Sequence, residues 1–147
     1  MTETIQQAQE NIVAEFAEFT DWEDRYARII ALGKKHPGIA EEFQTETFRV
    51  KGCQSTVHLH PKFENGIVYY EAGSDAMIVQ GLIALLLRVY SGRTPEEIIR
   101  TPPDFIHQLG LTENLTMGRQ NGLRAMVEQI KLYAVAFHAM GQSNQTN

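Results

Sequence analysis

Apolar residues recur every three or four positions at both ends of the chain, and this spacing predicts helices there. Segment 4–19 has one apolar face. A second helix is expected to begin at the stretch TDWE, where Thr20 and Glu23 form a capping box, and to stop near Gly33. Further helices are predicted over 76–90, from the Thr94 cap onward, over 103–109, and from the Thr116 cap toward the end of the chain.

The middle of the chain has a different pattern. Segments 45–50, 55–61 and 66–72 are short and rich in Val, Thr, Phe and Tyr, and turn residues separate them. This arrangement predicts a three-stranded antiparallel meander. The predicted fold class is therefore α+β, with helices from both chain ends covering the sheet.

Length and composition place limits on the kind of protein. A chain of 147 residues is expected to form a single domain, here 1–140, followed by a flexible polar tail, 141–147. A formal net charge of −5 argues against nonspecific nucleic-acid binding. The apolar run 76–90 is too short to span a membrane, and one cysteine cannot form an internal disulfide. Since the first residues also lack a signal-peptide pattern, a cytoplasmic protein is expected.

Cys53 lies at the turn between the first two predicted strands. A turn presents a nucleophile well, whereas a lone cysteine is elsewhere often a small buried apolar residue. Gly52 permits an unusual turn, and Gln54 and Ser55 add polar groups without charge. Thiolate character and exposure decide whether such a thiol reacts.

The meander brings residues 73–76 to the same end of the sheet as Cys53. The N-terminus of the helix that follows would favour a thiolate, whereas a nearby Asp75 carboxylate would oppose it. Ser74 and Asp75 are also good helix N-caps, and capping is compatible with a role at the site.

Arg119 shares a helical stripe with Leu123 and Met126, so it is expected to point at the domain body or a cleft. A guanidinium in that position should have an anionic or carbonyl partner. The alternative is an arginine that lays its stem along apolar surface and keeps its charge in water.

Three functions are compatible with these residues. His58 and His60 alternate along a predicted strand and, with Cys53, could supply three zinc ligands, although no fourth ligand has motif spacing. Cys53 with a histidine and Asp75 could form a cysteine hydrolase, which needs a base close to the sulfur. A non-catalytic adaptor would bind its partner through the face of helix 76–90 and would not use the thiol.

Four stretches, DWEDRYARIIALGK, VKGCQSTVHL, GSDAMIVQGLIALLL and LTMGRQNGLRAM, together resemble the SufE family in order and separation. The resemblance covers about residues 15–135. It implies an α+β fold and a protein that takes sulfane sulfur from a cysteine desulfurase persulfide, stimulates that enzyme and delivers the sulfur to an iron–sulfur scaffold. One departure is His58, where family members often have tryptophan, which puts in doubt any partner contact made by that ring.

The resemblance also implies roles for individual residues. Cys53 would be the sulfur acceptor, and the positions that match the family pattern around it are Gln54, Ser55, Ser74, Asp75, Gly81 and Arg119. The resemblance further implies that the desulfurase carries pyridoxal phosphate, and that this chain would need no metal or cofactor and would act as a carrier and activator rather than a stand-alone enzyme. Because small thiols would strip an exposed persulfide, Cys53 is expected to turn inward against the start of helix 76–90 in the free protein and to swing outward on desulfurase binding.

Overall fold

Helices from both ends of the chain enclose a small antiparallel sheet in the computed structural model, which describes residues 3–145. This arrangement confirms the α+β class. The helices are α1 (Ile5–Phe16), α2 (Trp22–Lys35), α3 (Met77–Tyr90), α4 (Pro95–Arg100), α5 (Asp104–Gln108), α6 (Leu111–Asn114) and α7 (Met117–Gln145). The strands are β1 (Val57–Glu64) and β2 (Ile67–Ser74), and two single-turn 3₁₀ helices, Glu41–Phe43 and Glu46–Phe48, precede them.

The sheet has two strands in the described part of the chain, so the prediction of three was wrong. Segment 45–50 forms the second 3₁₀ turn and then touches β1 through one bridge, from Arg49 to His58. The cause is aromatic packing: Phe43 stacks on the His60 ring at 3.6 Å between centroids, and Phe48 meets that ring edge-on at 4.8 Å. Both rings reach His60 only if the backbone turns between them, which an extended strand does not allow.

The strands that do form run further than predicted and are joined by Asn65 and Gly66. These two residues have φ of 54° and 80°, the left-handed backbone of a tight two-residue hairpin. The register pairs Val57 with Ser74, so the chain leaving β2 ends beside the start of β1, as the sequence predicted.

Two helix ends differ from their predictions for local reasons. Asp21, not Thr20, caps α2, because its carboxylate accepts a hydrogen bond from the Asp24 N–H at 2.9 Å. Helix α2 continues past Gly33 to Lys35, since Gly33 serves the packing of α2 on α3 rather than a helix end. The Thr94 capping box is confirmed, and the Thr116 hydroxyl accepts a hydrogen bond from the Arg119 N–H at the start of α7.

Helix α3 lies at the centre of the core, between α2 and the sheet. At the crossing with α2, a Cβ on Gly33 would overlap the Met77 carbonyl, and a Cβ on Gly81 would overlap the Ile29 carbonyl. On the other side, the buried Tyr70 hydroxyl of β2 donates a hydrogen bond to the Ile130 carbonyl of α7 at 2.7 Å. These contacts fix the positions of α3 and α7, between which the candidate site lies.

Helix α7 extends into the predicted polar tail as far as Gln145, and residues 146 and 147 lie outside the described residues. The flexibility of segment 141–147 therefore stays a prediction. Within residues 3–145, the helices are either too short or too polar to cross a lipid bilayer.

Gly81→Ala should lower the free energy of unfolding by about 2 kcal/mol or more, because the new methyl group overlaps backbone that cannot move aside. Urea denaturation measures this change. Gly141→Ala is the matched control, since a Cβ there meets nothing within 4 Å and alanine is the better helix former. Equal stability of the Gly81→Ala variant and the wild type would show that α2 and α3 are not closely packed at this point.

Candidate functional site

The loop that carries Cys53 lies along the first half of α7 and runs toward the N-terminal end of that helix. A Cβ on Gly52 would lie 3.4 Å from the Ala125 side chain, and one on Gly122 would lie 3.4 Å from the Cys53 sulfur. Gly52 has a φ of +93°, which other residues rarely adopt, so the glycine before the cysteine is required by the turn itself.

The Cys53 side chain turns inward and is half-buried. Its thiol donates a weak hydrogen bond to the Gly122 carbonyl, with sulfur and oxygen 3.5 Å apart. The sulfur faces a cavity of about 280 Å³ that is open on one side. The cavity is lined by Cys53, Gln54, Ser55, Val57, Val79, Leu82, Thr116, Gly118, Arg119, Gly122, Leu123 and Met126. The inward orientation expected from the sequence is therefore observed, although α7 rather than the start of α3 holds the thiol.

Burial raises the pKa of the Cys53 thiol above its ordinary value, because the apolar surroundings disfavour the charged thiolate. The sequence had suggested that the N-terminus of α3 would favour the thiolate. In the structure α3 reaches the cavity through the Val79 and Leu82 side chains, and the thiol faces a carbonyl of α7. Burial therefore favours the protonated thiol in the free protein.

Asp75 stabilises the far end of the Cys53 loop and does not cap α3, so the prediction of N-capping was wrong for this residue. Its carboxylate accepts hydrogen bonds from the Thr56 N–H at 3.2 Å and from the Ser74 hydroxyl at 3.4 Å. Ser74 does not cap α3 either: Ala76 is at the N-cap position, α3 has no side-chain capping hydrogen bond, and the Ser74 hydroxyl accepts from the N–H of Ala76 itself at 3.2 Å. Ser74 and Asp75 lie outside the set of residues that line the Cys53 cavity, whereas Gln54 and Ser55 belong to it.

Arg119 lines the cavity from the first turn of α7 and is half-buried, as its apolar stripe predicted. The predicted anionic or carbonyl partner is not there: within residues 3–145, its guanidinium makes no hydrogen bond or ion pair. The cavity therefore combines an apolar wall, a thiol and a cation that is free to bind an anion.

The histidines lie away from the thiol. His60 stacks on Phe43 and its Nδ1 lies 3.4 Å from a Glu71 carboxylate oxygen, while His58 lines a second cavity together with Asp75 and Gln80. Over the described ranges, no three His, Cys, Asp or Glu side chains are gathered as metal ligands. Among the residues lining the Cys53 cavity there is no imidazole or carboxylate that could act as the base of a cysteine hydrolase.

Sequence reasoning missed Gly118 and Gly122, which let the Cys53 loop approach α7. Two glycines four residues apart lie on one face of a helix, and glycine is unfavourable in helices. That pattern indicates that another part of the chain comes close to the backbone at this face. It does not indicate which part.

Residues 10–134 match the family model for SufE, described as an Fe-S metabolism associated domain. The chain belongs to the SufE family. Residues 10–134 take in the whole Cys53 loop, α3 and most of α7, so all the residues that line the cavity lie within the matched region.

Relatives in the SufE family resemble the chain over most of its length. An uncharacterized SufE-like protein of Rhizobium etli is 42% identical over 127 residues, which is 83% of this chain and 86% of that protein. The sulfur acceptor protein CsdE of Escherichia coli is 36% identical over 117 residues, which is 78% of this chain and 80% of CsdE.

A solved structure shares the fold. The solution structure of a hypothetical protein from Thermus thermophilus superimposes with a TM-score of 0.72 over 88% of this chain and 94% of that one, at 24% identity. At this identity the likeness concerns the fold alone.

The rate at which a neutral reagent such as iodoacetamide alkylates Cys53 should rise with pH around a midpoint above the value of about 8.5 for a free cysteine. The pKa of the Cys53 thiol is higher in the folded protein than in the unfolded one. The stability that comes from burying the neutral thiol is therefore fully present at pH values below the unfolded-state pKa. It is lost as pH rises through the folded pKa. The same protein in urea is the control, and identical midpoints for folded and unfolded chains would contradict the prediction.

Proposed function

We propose that this SufE-family protein accepts sulfane sulfur on Cys53 from the persulfide of a cysteine desulfurase, stimulates that enzyme, and passes the sulfur to an iron–sulfur scaffold. The observation that carries the proposal is the Cys53 thiol, turned into a cavity that has an apolar wall and is also lined by Arg119, whose guanidinium has no partner among residues 3–145. The similarity to CsdE, which is named a sulfur acceptor protein, supports the same conclusion.

The transfer step is an exchange at sulfur. The Cys53 thiol first loses its proton, and the thiolate then attacks the outer sulfur of the donor persulfide. A new sulfur–sulfur bond forms at Cys53, the donor sulfur–sulfur bond breaks, and the donor cysteine leaves as a thiolate. The outer sulfur moves from one cysteine to another, and no external oxidant or reductant is needed.

The cavity suits the product of this step. Val79, Leu82 and Met126 offer apolar surface to a soft, polarizable sulfur atom, and the Arg119 guanidinium offers a charge to a persulfide anion. A persulfide turned into this cavity would be protected from the small thiols that otherwise remove it. A single cysteine also fits a carrier, because a second thiol in the same chain could discharge the persulfide as a disulfide.

The inward position that protects the sulfur also hinders its transfer, so the loop must turn outward when the desulfurase docks. Opening would relieve the burial that raises the pKa of Cys53, and basic groups near the thiol would then favour the thiolate. Hydrogen bonds on both sides limit the moving segment: the Val50 N–H donates to the Val57 carbonyl, and the Thr56 N–H donates to Asp75.

Cys53→Ser should fold and bind a desulfurase normally but accept no sulfur, because it replaces one half-buried atom and removes the nucleophile. Incubation with a desulfurase, cysteine and radiolabelled sulfur, followed by intact mass measurement, tests this. Equal sulfur loading of variant and wild type would contradict the proposal. Wild-type binding without any label would indicate an adaptor, and turnover of an ester or amide would indicate a hydrolase.

Arg119→Ala should slow sulfur acceptance by about tenfold, since a charged hydrogen bond to the sulfur anion is lost. Stability should change little, because the guanidinium has no partner among residues 3–145 that would be left unpaired. Arg124→Ala is the matched control: this exposed arginine is on the same helix but does not line the Cys53 cavity. A loss of transfer rate that is equal in the two variants would assign the effect to the overall charge of α7.

A further inference from the structure

The side chain of Gln54 packs unusually closely against α7. A Cβ on Gly118 would overlap all three end atoms of the Gln54 amide, its carbon, oxygen and nitrogen. The flat amide thus occupies the space that any residue other than glycine would fill at position 118. Glycine is disfavoured in helices, and here its lack of a side chain leaves room for Gln54, the residue that follows the reactive cysteine.

The two loop residues before Gln54 also lie against α7. Gly52 has no side chain, and the Cys53 thiol reaches the Gly122 carbonyl only at 3.5 Å, where a thiol is a poor donor. The strong hydrogen bonds lie outside the segment, at Val50 and at Thr56. Gln54 thus places a longer side chain than Cys53 against α7, at the position immediately after the cysteine.

Gln54 is also accessible from outside. The residue is exposed as a whole even though its amide lies on Gly118, so a docking protein can reach it before it can reach the half-buried Cys53. No hydrogen bond holds the amide within the described residues, and its displacement therefore leaves no partner unpaired.

We propose that Gln54 is the positioning residue that keeps the Cys53 loop closed, through its contact with Gly118, and that displacement of this side chain is the step that exposes the thiol. The consequence for sulfur transfer rests on the function proposed above, whereas the closure of the loop does not. A partner that pushes the Gln54 amide off Gly118 would release the thiol and lift the burial that raises its pKa.

Alkylation of Cys53 by iodoacetamide under native conditions measures this closure. Gly118→Ala places a methyl group in the space of the amide, and Gln54→Ala removes the amide. Each should speed alkylation about fivefold, the factor expected when one modest contact is lost from the closed state. Gly141→Ala, a glycine on the same helix whose Cβ would meet nothing, should react at the wild-type rate.

The double variant Gln54→Ala with Gly118→Ala separates this mechanism from a general loosening of α7. If Gly118 acts through Gln54, the second substitution adds nothing to the first, whereas independent effects would multiply and overturn the proposal. If both single variants are alkylated at the wild-type rate, the proposal is also overturned, because the amide would have been displaced or removed without opening the loop.

Melting temperatures show whether faster alkylation reflects global unfolding. If Gly118→Ala is unstable, Gln54→Ala still tests the contact, because removing an exposed amide introduces no overlap. Sulfur loading from a desulfurase is measured on the same variants. If the variants are alkylated faster but neither they nor the wild type take up sulfur, the closure is supported and the sulfur-acceptor function is rejected. Sulfur uptake with unchanged alkylation would reject the closure alone.

Discussion

The close crossing of α2 and α3 fixes the frame on which the candidate site is built. Gly33 and Gly81 allow backbone to approach backbone at this point, so α3 is held in the middle of the core with nearly all of its faces covered. One of those faces presents Val79 and Leu82 to the Cys53 cavity. The cavity wall formed by Val79 and Leu82 is thus part of the buried core, and it can remain in place while the Cys53 loop moves.

The opposite wall of the cavity has a different construction. The first half of α7 carries Gly118 and Gly122, which give the Cys53 loop room to lie against the helix backbone. Further along, α7 is attached to the sheet by the buried hydrogen bond from Tyr70 to the Ile130 carbonyl and by the stacking of Phe137 on Phe63. The Cys53 loop consequently lies on a helix that is fixed to the sheet, whereas the loop itself is held on that helix by a few weak contacts.

Burial and reactivity oppose each other at the thiol. The closed loop raises the pKa of Cys53 and keeps it protonated, which protects it but makes it a poor nucleophile. The proposed function requires both states, one to carry sulfur and one to exchange it. A loop fixed at its ends by Val50 and Thr56 and held between them by the packing of Gln54 can change between these states without disturbing the core.

Features that depend on neighbouring residues could be predicted from the sequence. The Thr94 and Thr116 caps, most of the helices, the hairpin and the position of Cys53 on a loop follow from short-range hydrogen bonds and periodicity, although the short helix α6 was not predicted. The motifs around Cys53 and Arg119 also indicated the SufE family without any knowledge of their geometry.

Only the tertiary structure decided what each site residue contacts. Segment 45–50 has strand-like residues, but Phe43 and Phe48 bend it onto His60, and neither ring could be paired with that histidine from sequence. Aspartate is a common helix N-cap, yet the Asp75 carboxylate accepts a hydrogen bond from the N–H of Thr56, nineteen residues earlier. Arg119 was expected to have a partner and has none in residues 3–145. The start of α3 was expected to favour a thiolate at Cys53 and Asp75 to oppose it, whereas burial is what raises the pKa of the thiol. Local sequence sets backbone propensity, whereas burial and pairing depend on side chains that are brought together only when distant segments pack.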